Sequence, residues 1–402
     1  MKFKYVVLGM LYFVQGIPYG LQSGLLPIYF RTLGLSFTKI SLAKVLYTPW
    51  ILKVMWAPLV DQYFTKKTWL MLTMWGLVLA CLACSLMTPE ANFLPVAAIL
   101  LLMNVFVSIQ DIAADGVAIR LLGQDEVGYG NTVQVVAYKL GSVLAGGGLL
   151  TFLHRLGWGS LFVYLAAMYT LAIVVTWNSD LRLRRSYLSQ DRCVRDRTFN
   201  PWHILQELLQ VPDTLWTAGF VLIYKLGEQG SISMFPLFLL ERDFSAQKLG
   251  FWNGIVAMIF SIVGSSLGGH LISKQSPPLP TLKALLALRA CCLVFQILLM
   301  VAYKDKEPAS EVAAVLSICV QHFIAGLITT LTFSMMMYCT QKAKESVQAT
   351  HYSFLATLEV LGKLVFSTLS GSLVDWLGFT RAFGVFFSLS FASIVYLLPV
   401  RS

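Results

Sequence analysis

Apolar residues come in long uninterrupted blocks along this chain, and most charged residues collect in short intervals between them. The block FLPVAAILLLMNVFV, which starts at Phe93, holds no charge at all. A helix rises about 1.5 Å per residue, so about 20 such residues cross the ~30 Å hydrocarbon core of a bilayer. The pattern predicts twelve spans, at 5–30, 42–61, 68–87, 93–121, 128–152, 160–178, 214–240, 249–272, 284–303, 311–339, 346–372 and 382–400. The fold class is an all-α membrane protein. The opening MKFKYVVLGMLYFVQGIPYG has the basic start and apolar stretch of a signal peptide. It lacks a small-x-small cleavage site and runs on into apolar sequence, which predicts a retained first helix.

Composition agrees. The 402 residues are 57% hydrophobic and 12% charged, with a mean hydropathy of +0.71, and a soluble chain carries about twice that share of charge. Loop charge then sets an orientation, because Lys and Arg are retained on the cytoplasmic side. With the N-terminus inside, the inner segments hold Lys2, Lys4, Lys66, Lys67, Arg120, six Arg between 182 and 197, Lys274, Lys283, Lys342, Lys344 and Arg401, sixteen in all. The outer segments hold Arg31, Lys39, Arg155, Arg242, Lys248, Lys304, Lys306 and Arg381, which makes eight. Both termini are expected in the cytoplasm. This bias accounts for the net charge of +10, so nucleic acid is not an expected partner.

The longest polar interval divides the spans six and six, predicting a bundle over 1–178, a cytoplasmic basic linker over 179–213 and a second bundle over 214–402. At an offset of 209 residues Pro27, Ser36 and Lys39 lie over Pro236, Ser245 and Lys248. At an offset of 224, Lys139, Leu140 and Gly147 lie over Lys363, Leu364 and Gly371. These matches suggest a parallel duplication of one six-helix unit.

Span ends aside, ten charges fall inside the spans: Lys44, Lys53, Lys139, Lys225, Arg289 and Lys363 against Asp111, Asp115, Glu228 and Glu359. A charge at the bilayer centre costs at least about 3 kcal/mol on insertion scales, so each should face protein or water. Spans 2, 4, 5, 7 and 11 carry nine of them, and spans 3, 6 and 12 carry none. Arg289 stands near the inner end of its predicted span, where it is expected to snorkel. Spacing of three or four residues puts Lys225 with Glu228, and Glu359 with Lys363, on one helical face, so either pair could neutralise itself. Asp111 and Asp115 also share a face, but need a cation from another helix or a proton. Asp111, near the midplane with no cation within a turn of its own helix, is the candidate for carrying a proton, joined by Glu228 and Glu359. Asp115 is expected to pair with Lys139. Lys53, Lys139, Lys225 and Lys363 reach similar depth from four helices, where they could contact an anion.

Uncharged polar residues form a second layer: Gln15, Gln22, Asn104, Gln110, Asn253, Gln321 and His322 could touch a solute, and His322 titrates near neutrality in its ordinary state. Pro18, Pro27, Pro49, Pro58 and Pro236 are expected to interrupt spans 1, 2 and 7. The run GSVLAGGGLL reads as a close-packing surface on the fifth span. Trp50, Trp56, Trp69, Trp158, Trp216 and Trp376 read as interfacial anchors. The seven cysteines fit no disulfide framework or metal site. No nucleophile–base arrangement points to an enzyme.

The stretch QDIAADG (110–116) resembles the fourth-helix signature of the muropeptide permease and acetyl-CoA transporter branch of the major facilitator superfamily. Five further segments resemble the same branch: YFVQGIPYGL, LKVMWAPLVD, YKLGSVLAGGG, VLIYKLGE and QATHYSFLATLEVLGK. The resemblance implies two six-helix bundles, alternating access around a central cavity, large and usually anionic solutes, and proton symport. It also makes the loop after the second span a gate, with Asp61 and Lys66 retained. Both arginines and both glycines of the superfamily pattern are absent from Ala57–Lys66, which puts the strength of that gate in doubt.

The expected function is symport of a proton with an organic anion, acetyl-CoA or a related acyl-CoA first. A sugar-peptide or other metabolite, or a non-transporting receptor or scaffold on a transporter fold, stays open beside it. The reading implies no cofactor and no metal, with an anionic solute, protons and the lipid bilayer as partners of a monomer.

Overall fold

A computed structural model of the chain describes residues 2–26, 46, 48–89, 91–123, 126–179, 201–274, 279–305 and 307–399. No strand occurs among them. Contacts group the chain into two compact units. One comprises Met1–Gly123, Val133–Val211 and Thr340–Thr357; the other comprises Gln124–Thr132, Pro212–Cys339 and Leu358–Ser402.

Eight described helices are long and apolar enough to cross a membrane: Lys66–Ser85, Phe93–Leu121, Gly157–Asn178, Phe251–Ile272, Leu279–Ala302, Pro308–Gln341, Glu345–Leu377 and Phe379–Leu397. They correspond to the third, fourth, sixth and eighth to twelfth expected spans. The other four are interrupted, and the eighth carries a π-turn of its own at Gly250–Val256. The first runs as an α-helix over Lys2–Gly20 and then as a π-turn over Leu21–Leu25. The second is split into Thr48–Ile51 and Lys53–Gln62. The fifth passes from Val127–Val143 through a π-turn at Leu144–Gly148. The seventh breaks between Thr214–Ile223 and Leu226–Glu241.

That last break corrects an expectation. Pro236 lies inside an unbroken helix, as do Pro18 and Pro58, while the interruption of the seventh span falls at Tyr224–Lys225. A proline removes one donor without ending a helix whose freed carbonyl finds a partner in its surroundings. Pro27, Ser36, Lys39, Lys44 and the arginines of 182–197 lie outside the described residues.

Within the first unit the glycine-rich stretch does pack closely. A Cβ on Gly141 would strike the Phe13 carbonyl, one on Gly16 would strike the Tyr138 carbonyl, and one on Gly20 the Ser142 carbonyl. In lipid, helices associate through such close backbone approach, since the tails are as apolar as the side chains. The third span leaves Leu72, Trp75, Leu79 and Leu82 exposed, and the ninth leaves Leu288, Phe295 and Leu298 exposed. These are the surfaces that meet lipid. The second unit has an aromatic core in which Phe383 lies against Phe235 and Phe386.

Candidate functional site

In the first unit the fourth span presents a polar stripe. Asn104, Ser108, Asp111 and Asp115 recur at intervals of four, three and four, the spacing of one helical face, and all four are buried. Each meets a named group on another helix. Asn104 Nδ2 donates to Gln22 Oε1 at 2.7 Å, and its Oδ1 accepts from Trp50 Nε1 at 3.1 Å. Ser108 accepts from Trp56 Nε1 at 3.1 Å. Lys53 Nζ reaches Asp111 Oδ2 at 2.7 Å. Asp115 Oδ1 accepts from the Tyr12 hydroxyl at 2.9 Å and from Gln134 Nε2 at 3.2 Å.

Of the two alternatives for Asp111, a cation from another helix or a proton, the structure supplies the cation, Lys53 at the break of the second span; the expectation for Asp115 is corrected. Asp115 is bonded by Tyr12 and Gln134 rather than by Lys139, which sits half-buried five residues beyond Gln134 on the fifth span. Trp50 and Trp56, expected as interfacial anchors, donate to the stripe. Trp158 is buried and donates to the Cys84 carbonyl, whereas Trp376, 81% exposed, fits the anchor role. Gln110, beside Asp111, is fully buried and neither of its amide atoms has a hydrogen-bond partner; the same holds for Gln15.

At one end of the same unit Asp61 joins two elements. One oxygen takes the Lys66 ammonium, and the other accepts from Thr350 twice, at 2.7 Å from the backbone N–H and 2.6 Å from the hydroxyl. Thr350 stands in the first turn of Gln348–Leu377, where the unpaired amides and helix dipole favour a carboxylate. Lys66 also donates to the Val60 carbonyl, and Arg120 donates to the Glu345 carbonyl. The residues singled out as a gate therefore bond to each other and to the start of the eleventh span.

The second unit gathers the other intramembrane charges. Lys225, freed by the break in the seventh span, reaches Glu359 Oε1 at 3.0 Å, and the Tyr224 hydroxyl donates to the same oxygen at 3.3 Å. Lys363 lies 3.8 Å from Glu359 Oε2, as its spacing predicts. Glu228 pairs across helices instead of with Lys225: Arg289 Nη1 reaches its Oε2 at 3.2 Å. Arg289 is 1% exposed and does not snorkel. Its helix begins at Leu279, five residues before the expected start, which places Arg289 about 15 Å from the end. Three cations thus surround two carboxylates.

Farther along that unit, Gln321 Nε2 donates to Ser231, whose hydroxyl donates to Gln296 Oε1 at 2.6 Å. These side chains line a cavity of about 10 Å³ with Asn253 and His322, room for about one water. Gln321 Oε1 and Asn253 Oδ1 are buried acceptors without a partner. His322 Nδ1 lies 2.9 Å from the Ile318 carbonyl; a carbonyl only accepts, so Nδ1 carries the hydrogen.

The Major Facilitator Superfamily model matches residues 8–357. The chain belongs to the Major Facilitator Superfamily. It is a multi-pass integral membrane transporter, as its relatives in the superfamily are, and not an enzyme. An uncharacterized protein of Haemophilus influenzae is 27% identical over 280 residues, which is 65% of this chain and 63% of that protein. The anhydromuropeptide permease of Escherichia coli is 24% identical over 418 residues, covering 98% of this chain and 79% of the permease. The fucose:proton symporter of Escherichia coli, a solved structure, matches 99% of both chains with a TM-score of 0.75 at 14% identity, a likeness of fold. The superfamily resemblance is thus shown. Tyr12, Gln134, Tyr224 and the Glu228–Arg289 pair were not legible beforehand. Tyr12 and Gln134 sit in apolar blocks with no charge beside them; Arg289 was legible as a charge, but not as a buried one.

Proposed function

We propose that the chain moves an organic anion together with a proton, by alternating access of the bundles 1–178 and 214–402 joined by the linker 179–213. The observation that carries the anion is the charge around Glu359 and Glu228. Lys225, Lys363 and Arg289 exceed the two carboxylates by one positive charge, which a bound anion would neutralise. Lys363 holds its carboxylate at the longest distance, and its side chain is 34% exposed, so it is the cation readiest to turn to a solute, with Lys225 beside it. Glu359 and Glu228, each paired with a cation, are weaker proton carriers than Asp115, which is bonded only by Tyr12 and Gln134. The anhydromuropeptide permease among the relatives supports a sugar-peptide anion over acetyl-CoA. Within the first bundle, Gln22, Gln110, Lys53 and Lys139 are the candidates for contacting the solute or the proton.

Purified protein in liposomes should accumulate a labelled anhydromuropeptide when the outside is made acidic, and a collapsed pH gradient should abolish the accumulation. Acetyl-CoA forms the second arm. Binding of either without accumulation would make the chain a receptor, and accumulation of cations in place of anions would overturn the charge argument.

The orientation that goes with this reading puts both termini and residue 186 in the cytoplasm. In a cysteine-free background, a cysteine at Ser186 should resist an impermeant thiol reagent applied to intact cells, while one at Glu307 should react. The opposite pattern would invert the protein.

A further inference from the structure

We propose that Asp115, and not Asp111, is the carboxyl that binds the coupled proton, and that buried amides between the first and fourth spans form its route. The inference rests on the symport reading and assigns the proton within it.

The fourth span brings two carboxyls within one turn, and one ammonium bonds to them. Lys53 is committed to Asp111 at 2.7 Å, and the two form a neutral pair. Asp115, 1% exposed, receives only the neutral Tyr12 hydroxyl and Gln134 amide, both on Oδ1. The remaining charged or titratable groups around it do not supply a cation. Asp111 repels it from its own helix, and the Lys53 ammonium bonded to Asp111 attracts it, so that pair largely offsets itself. Tyr352 of the eleventh span, close enough to act on Tyr12, is an uncharged phenol. The Lys66 chain passes Gly116, where a Cβ would come within 3.1 Å of its Cε, but its ammonium is held by Asp61 and the Val60 carbonyl. Lys139 is not among the hydrogen-bond partners of Asp115. A proton on Asp115 therefore leaves this face neutral, and its departure leaves one negative charge among neutral donors.

A second observation gives the proton a path. The bonds Gln22–Asn104 and Tyr12–Asp115 fix the antiparallel register of the first and fourth spans. Seven residues from Gln22 toward Tyr12 is Gln15, and seven from Asn104 toward Asp115 is Asp111, so Gln15 stands level with Asp111 and its neighbour Gln110. Gln15 and Gln110 are fully buried, and neither amide has a partner. Native proteins rarely bury amides unsatisfied, and water supplies the missing bonds where side chains do not. From Asn104 to Asp115 the polar file extends about 16 Å. A hydronium ion passed along it would give its proton to Asp115 Oδ2 and leave as water, while Oδ1 stays with Tyr12 and Gln134, which act as positioning residues.

The test needs no solute. Infrared difference spectra of the full-length protein in liposomes, recorded between alkaline and acidic buffer, should show a protonated-carboxyl C=O band from a buried acid. Asp115→Asn should remove the band. The double variant Lys53→Gln with Asp111→Asn, which leaves no ammonium unpaired, should keep it. Tyr12→Phe should keep the band but move it to higher wavenumber, because one donor to the C=O oxygen is lost. A band that survives Asp115→Asn and vanishes in the double variant would return the proton to Asp111. A wild-type protein with no such band, but with thermal unfolding shifted by sodium ions, would make the site a cation site. The expected spectra in a protein without pH-driven uptake would refute symport and leave the protonation of Asp115 standing.

Discussion

Arg289→Met should cost about 3 to 5 kcal/mol of stability and sharply lower the yield of folded protein. Arg289 Nη1 is bonded to Glu228, and Nη2 donates to the Ser393 hydroxyl at 3.2 Å, with both charged side chains at most 3% exposed. Methionine fills much of the same volume but leaves the Glu228 carboxylate buried without its cation. Removing both charges is far less costly, since the desolvation of two ions disappears along with their attraction. The double variant Arg289→Met with Glu228→Leu should therefore recover most of the loss. Thermal unfolding of the purified protein, followed by intrinsic fluorescence, distinguishes the two. A single variant as stable as the wild type would mean that Glu228 is compensated elsewhere; a double variant no better than the single would make packing, not charge, the cause.

Lys225→Gln should weaken anion binding about tenfold or more, close to 1.4 kcal/mol at the least, and Lys225→Gln with Glu359→Gln should restore much of it. The arithmetic is local. Lys225 and Lys363 both contact Glu359, a formal charge of +1, which falls to 0 in the single variant and returns to +1 in the double. A unit charge about 4 Å from a ligand anion is worth several kcal/mol at an effective dielectric near 20, so the net charge dominates. Combining Lys225→Gln with Glu228→Gln should give no rescue, because Glu228 belongs to Arg289 and its loss leaves a buried guanidinium unpaired. Equilibrium binding of the transported anion to protein that still reaches the membrane measures all three. Wild-type affinity in Lys225→Gln would remove this lysine from the anion site.

These two expectations differ in how far they could be read from the chain. Glu359 and Lys363 are four residues apart on one helix, so their contact is set by helical geometry and was legible directly. Lys225 and Glu228 satisfy the same local rule, yet the break at Tyr224–Lys225 gave each a partner from another helix. Local spacing states which pairs are possible; it does not rank them against groups brought in from elsewhere. Asp61 and Lys66 were singled out only through family resemblance, and the Thr350 contact to Asp61 joins positions 289 apart in the chain.

By itself the sequence determined the all-helical membrane class, because blocks of about 20 apolar residues have no other stable arrangement than helices in lipid. It also determined that the acidic face of the fourth span turns to protein or water, since Asp111 and Asp115 share one side and facing lipid would be too costly. Only the tertiary structure decided the pairings: Lys53 on Asp111, Tyr12 and Gln134 on Asp115, Arg289 on Glu228, and Lys225 on Glu359. The reason is geometric. A helix fixes the direction of its own side chains through a period of 3.6 residues, but the distance between side chains on two helices depends on their register, rotation and breaks. Those follow from the close approach of Gly16 and Gly20 to the fifth span and from the interruptions at Leu52 and Tyr224, none of which has a period to read.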